Sequence, residues 1–279
     1  MMGPAIKYQN HLGKSVDLSS NGIVADPTDV LAWSLVVNDS YGTVRSIGRS
    51  VAARKMKVVT YSMKARKRLY EVPAADVDDM RPGRLYVGDW YLVCYITSSS
   101  VRGWWCGDGV SSYEVEVTVV DAQWRKDVQY VLTERHDGGA GLDFPYDFPH
   151  DFGYSTSAFT VNNTGFKPAD AVIRVYGPVG SCQVTVASNT YSVGVSLEVG
   201  EYVTIDTYER TVKVTRLTGG VEDAFPHVEG DYFEGSGSYI FERIPVGLSD
   251  VIWSGTSDLD LTVVLMRDEP DYTDLTGAA

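Results

Sequence analysis

Apolar and polar residues alternate with a two-residue period along most of this chain, and turn-forming residues break the alternation at short spacing. Tyr113, Val115, Val117 and Val119 alternate with Glu114, Glu116 and Thr118, the pattern of a strand with one buried face. Arg84 to Ile96 predicts a long neighbouring strand, and Ser98-Ser99-Ser100 and Gly107-Asp108-Gly109 predict turns around Trp104-Trp105. Leu31, Trp33, Leu35 and Val37 share one face, which predicts a half-buried strand ended by the turn Asn38-Asp39-Ser40-Tyr41-Gly42. Met56 to Met63 predicts another strand, whose lysines require one face to stay in water or to meet acids. Ala74 to Met80, stopped by Pro82-Gly83, is the best short helix candidate, and an ordered loop is the alternative.

The second half continues the pattern. Strands are predicted over 171–176, 183–187, 191–197, 202–207, 211–217, 237–243, 249–254 and 259–266, with Tyr191, Val193, Val195 and Leu197 on one face and Leu259, Leu261, Val263 and Leu265 on another. Short alternating strands of this kind predict a jelly-roll-like β-sandwich, and the chain as a whole is all-β with little helix. The length fits two domains, each able to bury its own core. Periodicity is lost from Glu134 to Gly141, so the expected division is 1–135 for the first domain, 136–154 for a linker, 155–270 for the sandwich and 271–279 for a tail.

The linker holds the repeat Asp143-Phe144-Pro145, Asp147-Phe148-Pro149, Asp151-Phe152-Gly153. Each proline removes an amide donor and disfavours helical geometry at the phenylalanine before it, so the segment is predicted to be extended. It is either a free spacer or a latch. Phe144, Phe148 and Phe152 left in water would form a costly patch, which favours docking into grooves.

Charge changes the picture because it is uneven. The net charge is −13, and residues 152–279 hold seven Lys/Arg against eighteen Asp/Glu, while residues 1–151 hold seventeen against nineteen. Arg45, Arg49, Arg54, Lys55, Lys57, Lys64, Arg66, Lys67 and Arg68 form a run without a single acid. A solvated strand face and a subunit contact are both compatible with that run. Nucleic-acid binding is disfavoured, since Tyr61 is its only aromatic and the rest of the chain is acidic.

Cys94, Cys106 and Cys182 are odd in number and lack metal-ligand spacing, which favours buried thiols over a disulfide scaffold or zinc site, although Cys94 and Cys106 could face each other across a hairpin. The N-terminus has no apolar signal region and no run is long enough to span a bilayer, so the expectation is a soluble chain without a membrane partner. His136, Asp137, His150 and Asp151 invite a metal reading but sit in linker sequence without fixed ligand spacing. Gly13-Lys14-Ser15 lacks the upstream glycine of a phosphate loop, and neither G-x-S-x-G nor H-E-x-x-H occurs. No catalytic residue, metal or cofactor is assigned. Trp104-Trp105 packs a hairpin end or stacks on a sugar or a partner protein.

Several ordered segments resemble those of the distal tail proteins of long-tailed, non-contractile bacteriophages. They are Asn162-Asn163-Thr164-Gly165, Ile173-Arg174-Val175-Tyr176-Gly177-Pro178, Gly200-Glu201-Tyr202-Val203-Thr204-Ile205-Asp206, Phe241-Glu242-Arg243-Ile244-Pro245-Val246-Gly247 and Arg267-Asp268-Glu269-Pro270. In the first domain Gly83 to Tyr95 and Val119 to Trp124 are also similar, while the basic run departs from the pattern. The resemblance implies an N-terminal belt domain that closes a hexameric ring and a C-terminal galectin-like sandwich. It further implies a structural virion protein of the tail tip, assembled in the host cytoplasm. Its partners would be the major tail tube protein, the tip hub or tail-associated protein and a receptor-binding protein, with genomic DNA passing through the channel unbound. Within that picture the basic run is the candidate interface, as a strand or arm crossing a neighbouring subunit. The alternative is a carbohydrate-binding β-sandwich that attaches to a cell-surface glycan.

Overall fold

The structure is a computed structural model describing residues 5–40, 43–51, 53–105, 109–133, 159–253 and 257–271, with backbone alone for Ser40, Thr43 and Trp105. The predicted linker lies outside these residues. Two compact units emerge, Met1–Lys126 with Met266–Ala279, and Asp127–Leu265.

The first unit contains β1 (Ile6–Gln9), β2 (Ser15–Asp17), β3 (Ile23–Asp26), α1 (Thr28–Leu31), β4 (Leu35–Ser40), β5 (Thr43–Arg49), β6 (Arg54–Thr60), α2 (Met63–Asp78), β7 (Gly83–Val87), β8 (Trp90–Trp105), β9 (Val110–Val119) and the start of β10 (Trp124–Leu132). All pairings are antiparallel and run β2-β1-β7-β8-β9-β6-β3, with Arg125 of β10 joining Tyr91 of β8. The alternation read from β9 is real. Tyr113, Val115, Val117 and Val119 are buried while Glu114, Glu116 and Thr118 face outward. Tyr8, Leu85, Leu92, Met56, Val58 and Trp124 complete the core, each such side chain stabilising by about 1.5–3 kcal/mol when buried.

Four expectations change here. The serine run Ser98 to Ser100 is not a turn but lies within β8, paired to Val115 and Glu114 of β9 at Ser99 and Ser100. The chain bends instead at Gly88, whose φ of 60° suits glycine, so Arg84 to Ile96 is a hairpin rather than one strand. The helix is not confined to residues 74–80 but spans sixteen residues. Ala65, Leu69, Pro73 and Asp76 form its buried stripe, and Ser62 caps it by accepting from the Ala65 amide at 3.2 Å. Finally, Leu31 closes α1, and Leu35 and Val37 lie on an exposed hairpin instead of a half-buried strand.

A buried polar cluster fixes α2 to the β1–β2 turn. Asp76, fully buried, accepts from the Tyr8 hydroxyl at 2.6 Å and the His11 amide at 2.8 Å, and its carboxylate lies 2.6 Å from His11 Nδ1. His11 Nε2 lies 3.0 Å from Asp79, and Asn10 donates to the Val72 carbonyl at 3.1 Å. Burial and the bond to Asp76 push the Tyr8 phenol well above its usual range, so it remains a donor. Gly83 fits against this cluster only because it has no side chain: a Cβ would lie 2.4 Å from both Asp76 Oδ2 and the Tyr8 hydroxyl.

The second unit contains β11 (Phe159–Asn163), β12 (Asp170–Tyr176), β13 (Cys182–Val186), β14 (Asn189–Val193), β15 (Tyr202–Asp206), β16 (Thr211–Thr215), β17 (Val221–Asp223), β18 (Val228–Glu229), β19 (Gly247–Trp253) and most of β20 (Leu259–Arg267). These make two antiparallel sheets, β17-β16-β15-β12-β20 and β11-β19-β13-β14-β18. Ile173, Val203, Ile205, Val212, Leu261 and Val263 are buried from the first sheet, and Val161, Val184, Tyr191, Val193 and Val251 from the second, as in a β-sandwich.

Residues 237–243 do not form the strand predicted for them. Gly237 has φ of 87°, and side chains rather than a ladder satisfy the segment: Asn189 donates to the Tyr239 carbonyl at 2.9 Å and Tyr191 to that of Glu242 at 2.8 Å. Asn163, fully buried, organises the turn at β11. Its amide donates to the carbonyls of Lys167 and Ile244, both at 3.0 Å, and its oxygen accepts from the Gly165 amide at 2.9 Å.

Gly200-Glu201 opens β15 for a similar reason. Gly200 takes φ of 87°, and Glu201 accepts from the amides of Glu198 at 3.1 Å and Leu217 at 3.4 Å and pairs with Arg216 at 3.0 Å. The Glu198 amide foremost, with Arg216 and Leu217, holds the Glu201 carboxyl below its usual range. A depressed carboxylate contributes stability that is complete above its unfolded pKa, about 4.3, and disappears as pH falls through the folded value. Glu201→Gln should therefore narrow its deficit in melting temperature relative to wild type as pH drops from about 5 to 3. Thermal scans across that range check it, and a deficit constant with pH would refute it.

Candidate assembly surfaces

The nine basic residues do not form one patch. The fold distributes them over three elements with different surroundings. Arg54, Lys55 and Lys57 lie on β6, where Arg54 donates to the Val30 carbonyl at 2.7 Å and burial lowers its pKa. Lys55 pairs with Glu114 at 2.9 Å, and Lys57 stands between Asp26 and Glu114 in the strand register. Bonds from Lys55 first and Arg102 second hold Glu114 below the usual carboxylate range. The lysine-bearing strand thus meets acids, as its sequence requires.

Arg45 and Arg49 belong to the β4–β5 hairpin, a separate two-stranded sheet. In its register Leu35 faces Arg49 and Val37 faces Ile47, with Val36 opposite Gly48 and Asn38 opposite Ser46 on the reverse face. Asn38 donates to Ser46 at 3.1 Å, so the reverse face is largely polar and small. Beyond a bulge, Asp39 pairs with Val44. The apolar face carries Leu35, Val37, Val44 and Ile47, yet Val37 is 51% and Ile47 60% exposed. An isolated two-stranded hairpin is marginal in water, and a contiguous apolar face on one marks an interaction surface. Arg49 is hydrogen-bonded to Asp268 within the same unit, and the Ser50 amide donates to Ser34 at 3.0 Å, closing the hairpin base.

Lys64, Arg66, Lys67 and Arg68 occupy the first turns of α2. Between this helix and the β8–β9 sheet runs a groove of about 730 Å³, lined by Met63, Tyr70, Val77, Val101, Arg66 and Asp78 among others. Lys67 pairs with Glu71 at 3.4 Å. Arg66 lies 5.5 Å from the Tyr113 ring centroid and 5.9 Å from that of Trp104, within cation–π range. Trp104 is 60% exposed at the end of β8, so it is not core packing.

Phe144, Phe148 and Phe152 lie outside the described residues, as do His136, Asp137, His150, Asp151 and Cys106. Cys94 and Cys182 are buried free thiols, pushed by burial up to about 12 and about 11 respectively. Among the described residues, no group of three or more metal-ligating side chains converges.

Sequence reasoning missed the two apolar surfaces themselves. Leu35 and Val37 read as the face of a half-buried strand because alternation cannot say whether a covering layer exists in the same chain. Met63 read as the end of a strand over 56–63, but β6 stops at Thr60 and Met63 opens α2. Val77 fell in the helix candidate of 74–80, while the dense basic residues and Pro73 masked the earlier turns that carry Met63 and Tyr70.

No family model and no curated protein matches the sequence. Solved structures do match its fold. A chain of the phage P2 baseplate in its activated conformation with Ca superposes with a TM-score of 0.60 at 12% identity, over 97% of this chain and 100% of that one. A chain of the same baseplate with Sr gives 0.58 at 12% identity, over 96% and 99%. The SPP1 Dit protein, described as a paradigm of the hub adsorption apparatus in phages infecting Gram-positive hosts, gives 0.53 at 9% identity, over 94% and 98%. At these identities the likeness is one of fold.

Proposed function

We propose that the chain is a structural component of a bacteriophage tail tip, a distal tail protein whose copies close into a hexameric ring joining the tail tube to the tip hub and receptor-binding apparatus. The observation that carries this reading is the extent of the likeness: the fold matches baseplate and Dit chains across both units and nearly end to end. A chance likeness of one sandwich would cover half of the chain. Domain 1–135 would form the ring and domain 155–270 the galectin-like sandwich, with 136–154 as the segment between them. The exposed hairpin and the helix-lined groove are two different apolar surfaces on one unit, which suits the heterologous, head-to-tail contacts that close rings. The net negative charge suits a channel through which genomic DNA passes without adhering.

Labelling of purified virions with antibody raised against the chain tests the assignment. The expected result is gold at the end of the tail distal to the head. Label on the capsid or along the tail shaft, or a virion preparation that lacks the chain, would overturn it. A glycan array run on the same protein addresses attachment: saturable binding lost on Trp104→Ala would instead favour the carbohydrate module.

A further inference from the structure

We infer that the β4–β5 hairpin of one copy seats its apolar face in the groove between α2 and the β8–β9 sheet of the next copy. This deepens the ring reading and rests on it. The hairpin and the groove are each apolar, each exposed, and belong to the same unit.

Their dimensions agree. Six residues of β4 extend about 20 Å, and sixteen residues of α2 extend about 24 Å. Charge fixes the direction in which one lies along the other. The groove is basic at the start of α2, with Arg66 and Lys67, and acidic at its end, with Asp78. The hairpin carries Asp39 toward its tip and Arg49 at its base, on the face that bears Leu35, Val37 and Ile47. Seating the tip at the basic end brings Asp39 to Arg66 and Lys67, while Arg49 at the base keeps its bond to Asp268. The opposite direction would set Asp39 beside Asp78, a like-charge penalty that selects one register. The seated face covers Met63, Tyr70, Val77 and Val101, and Trp104 stands at the rim beside Arg66. Because the hairpin and the groove are distinct surfaces, the contact repeats from copy to copy and leaves no unused end once the ring closes.

Two variants of the full chain test the contact. Val37→Asp with Ile47→Asp spoils the hairpin, and Tyr70→Asp with Val77→Asp spoils the groove. All four side chains are about half exposed or more, so the folded unit tolerates them. Each variant alone should self-associate at least about 100-fold more weakly than wild type. Mixed in equal amounts, they should form a species of twice the monomer mass, because the intact hairpin of the groove variant still fits the intact groove of the hairpin variant. That complementation also demonstrates that both variants are folded. If wild type forms rings and either variant closes them equally well, or the mixture stays monomeric, the hairpin–groove contact is wrong and the ring reading stands. If wild type itself stays monomeric at every concentration, both are wrong. Self-association retained by the groove variant but lost by the hairpin variant points to hairpin pairing with hairpin, and overturns the groove as its seat.

Discussion

Gly83→Val should unfold the first unit or leave it barely stable. A Cβ at this position would sit 2.4 Å from Asp76 Oδ2 and from the Tyr8 hydroxyl, well inside contact distance, and valine adds two more methyl groups. The neighbours cannot yield cheaply. Asp76 is fully buried and already holds the Tyr8 hydroxyl and the His11 amide, so displacing it would leave a buried carboxylate short of partners. Overpacking costs about 1–3 kcal/mol, and breaking a buried, charge-assisted cluster adds about 3 kcal/mol more. Against a typical domain stability of about 5–15 kcal/mol, the loss approaches the whole for a marginal unit. Urea denaturation followed by a tryptophan signal from Trp90 and Trp124 measures it. Gly83→Val at wild-type stability would mean that Gly83 does not lie against Asp76 and Tyr8 as described. Asp76→Asn offers a graded companion, because the amide keeps an oxygen to accept one bond and loses the charge.

Asn163→Leu should be the most damaging comparable substitution in the sandwich, with a loss of about 3–4 kcal/mol. Leucine matches the volume but removes the donor to the carbonyls of Lys167 and Ile244 and the acceptor of the Gly165 amide, leaving the Ile244 carbonyl only its bond from the Ala169 amide. Each unsatisfied buried group costs about 1–3 kcal/mol, and water can reach the edge of the turn to recover part of that. Hydrogen exchange of the amides in β11, β12 and β19 reports the change locally. Protection lost throughout the second unit fits this account, and protection unchanged in β11 and at Gly165 contradicts it.

The contrast between these residues also marks what the sequence could disclose. Asn163 stood in a recognisable turn, Asn162-Asn163-Thr164-Gly165, because local chemistry specifies local geometry. The strands of the sandwich were legible for the same reason: in β15 and over Leu259 to Val263 of β20 buried apolar residues alternate with less buried ones, Tyr202, Thr204, Asp206, Asp260 and Thr262, that carry polar groups. Gly83 is different. Its importance comes from Asp76 and Tyr8, far apart from each other in the chain, whereas the sequence offers Pro82-Gly83 as a stop signal and Gly83 as the start of a resembling segment. The helix was partly hidden because Pro73 counts against a helix interior by propensity, yet here it lies on the buried stripe, where packing outweighs its missing amide. Residues 237–243 alternated like a strand, yet they meet β14 through one backbone bond, from the Thr190 amide to the Gly237 carbonyl, and through side chains of β14 rather than through a ladder.

For the assembly surfaces, sequence and structure each supplied half. The basic run stood out in the sequence as a unit, and the structure divides it among β5, β6 and α2, with the β6 members matched to acids of neighbouring strands. The apolar face of β4 looked like the covered side of a half-buried strand, and only the absence of a covering layer among the described residues turns it into a candidate contact. Binary pattern reports which face is apolar. It does not report whether the cover comes from the same chain or from another.

Light scattering of the purified full-length chain at low and moderate salt, with negative-stain images of the same fractions, tests the central claim most directly. The account predicts a closed ring with a central channel, and reversal of charge at Arg66, Lys67 and Arg68 should shift that ring toward monomer, most strongly at low salt where screening is weakest. A monomer at every concentration and both salts would contradict it.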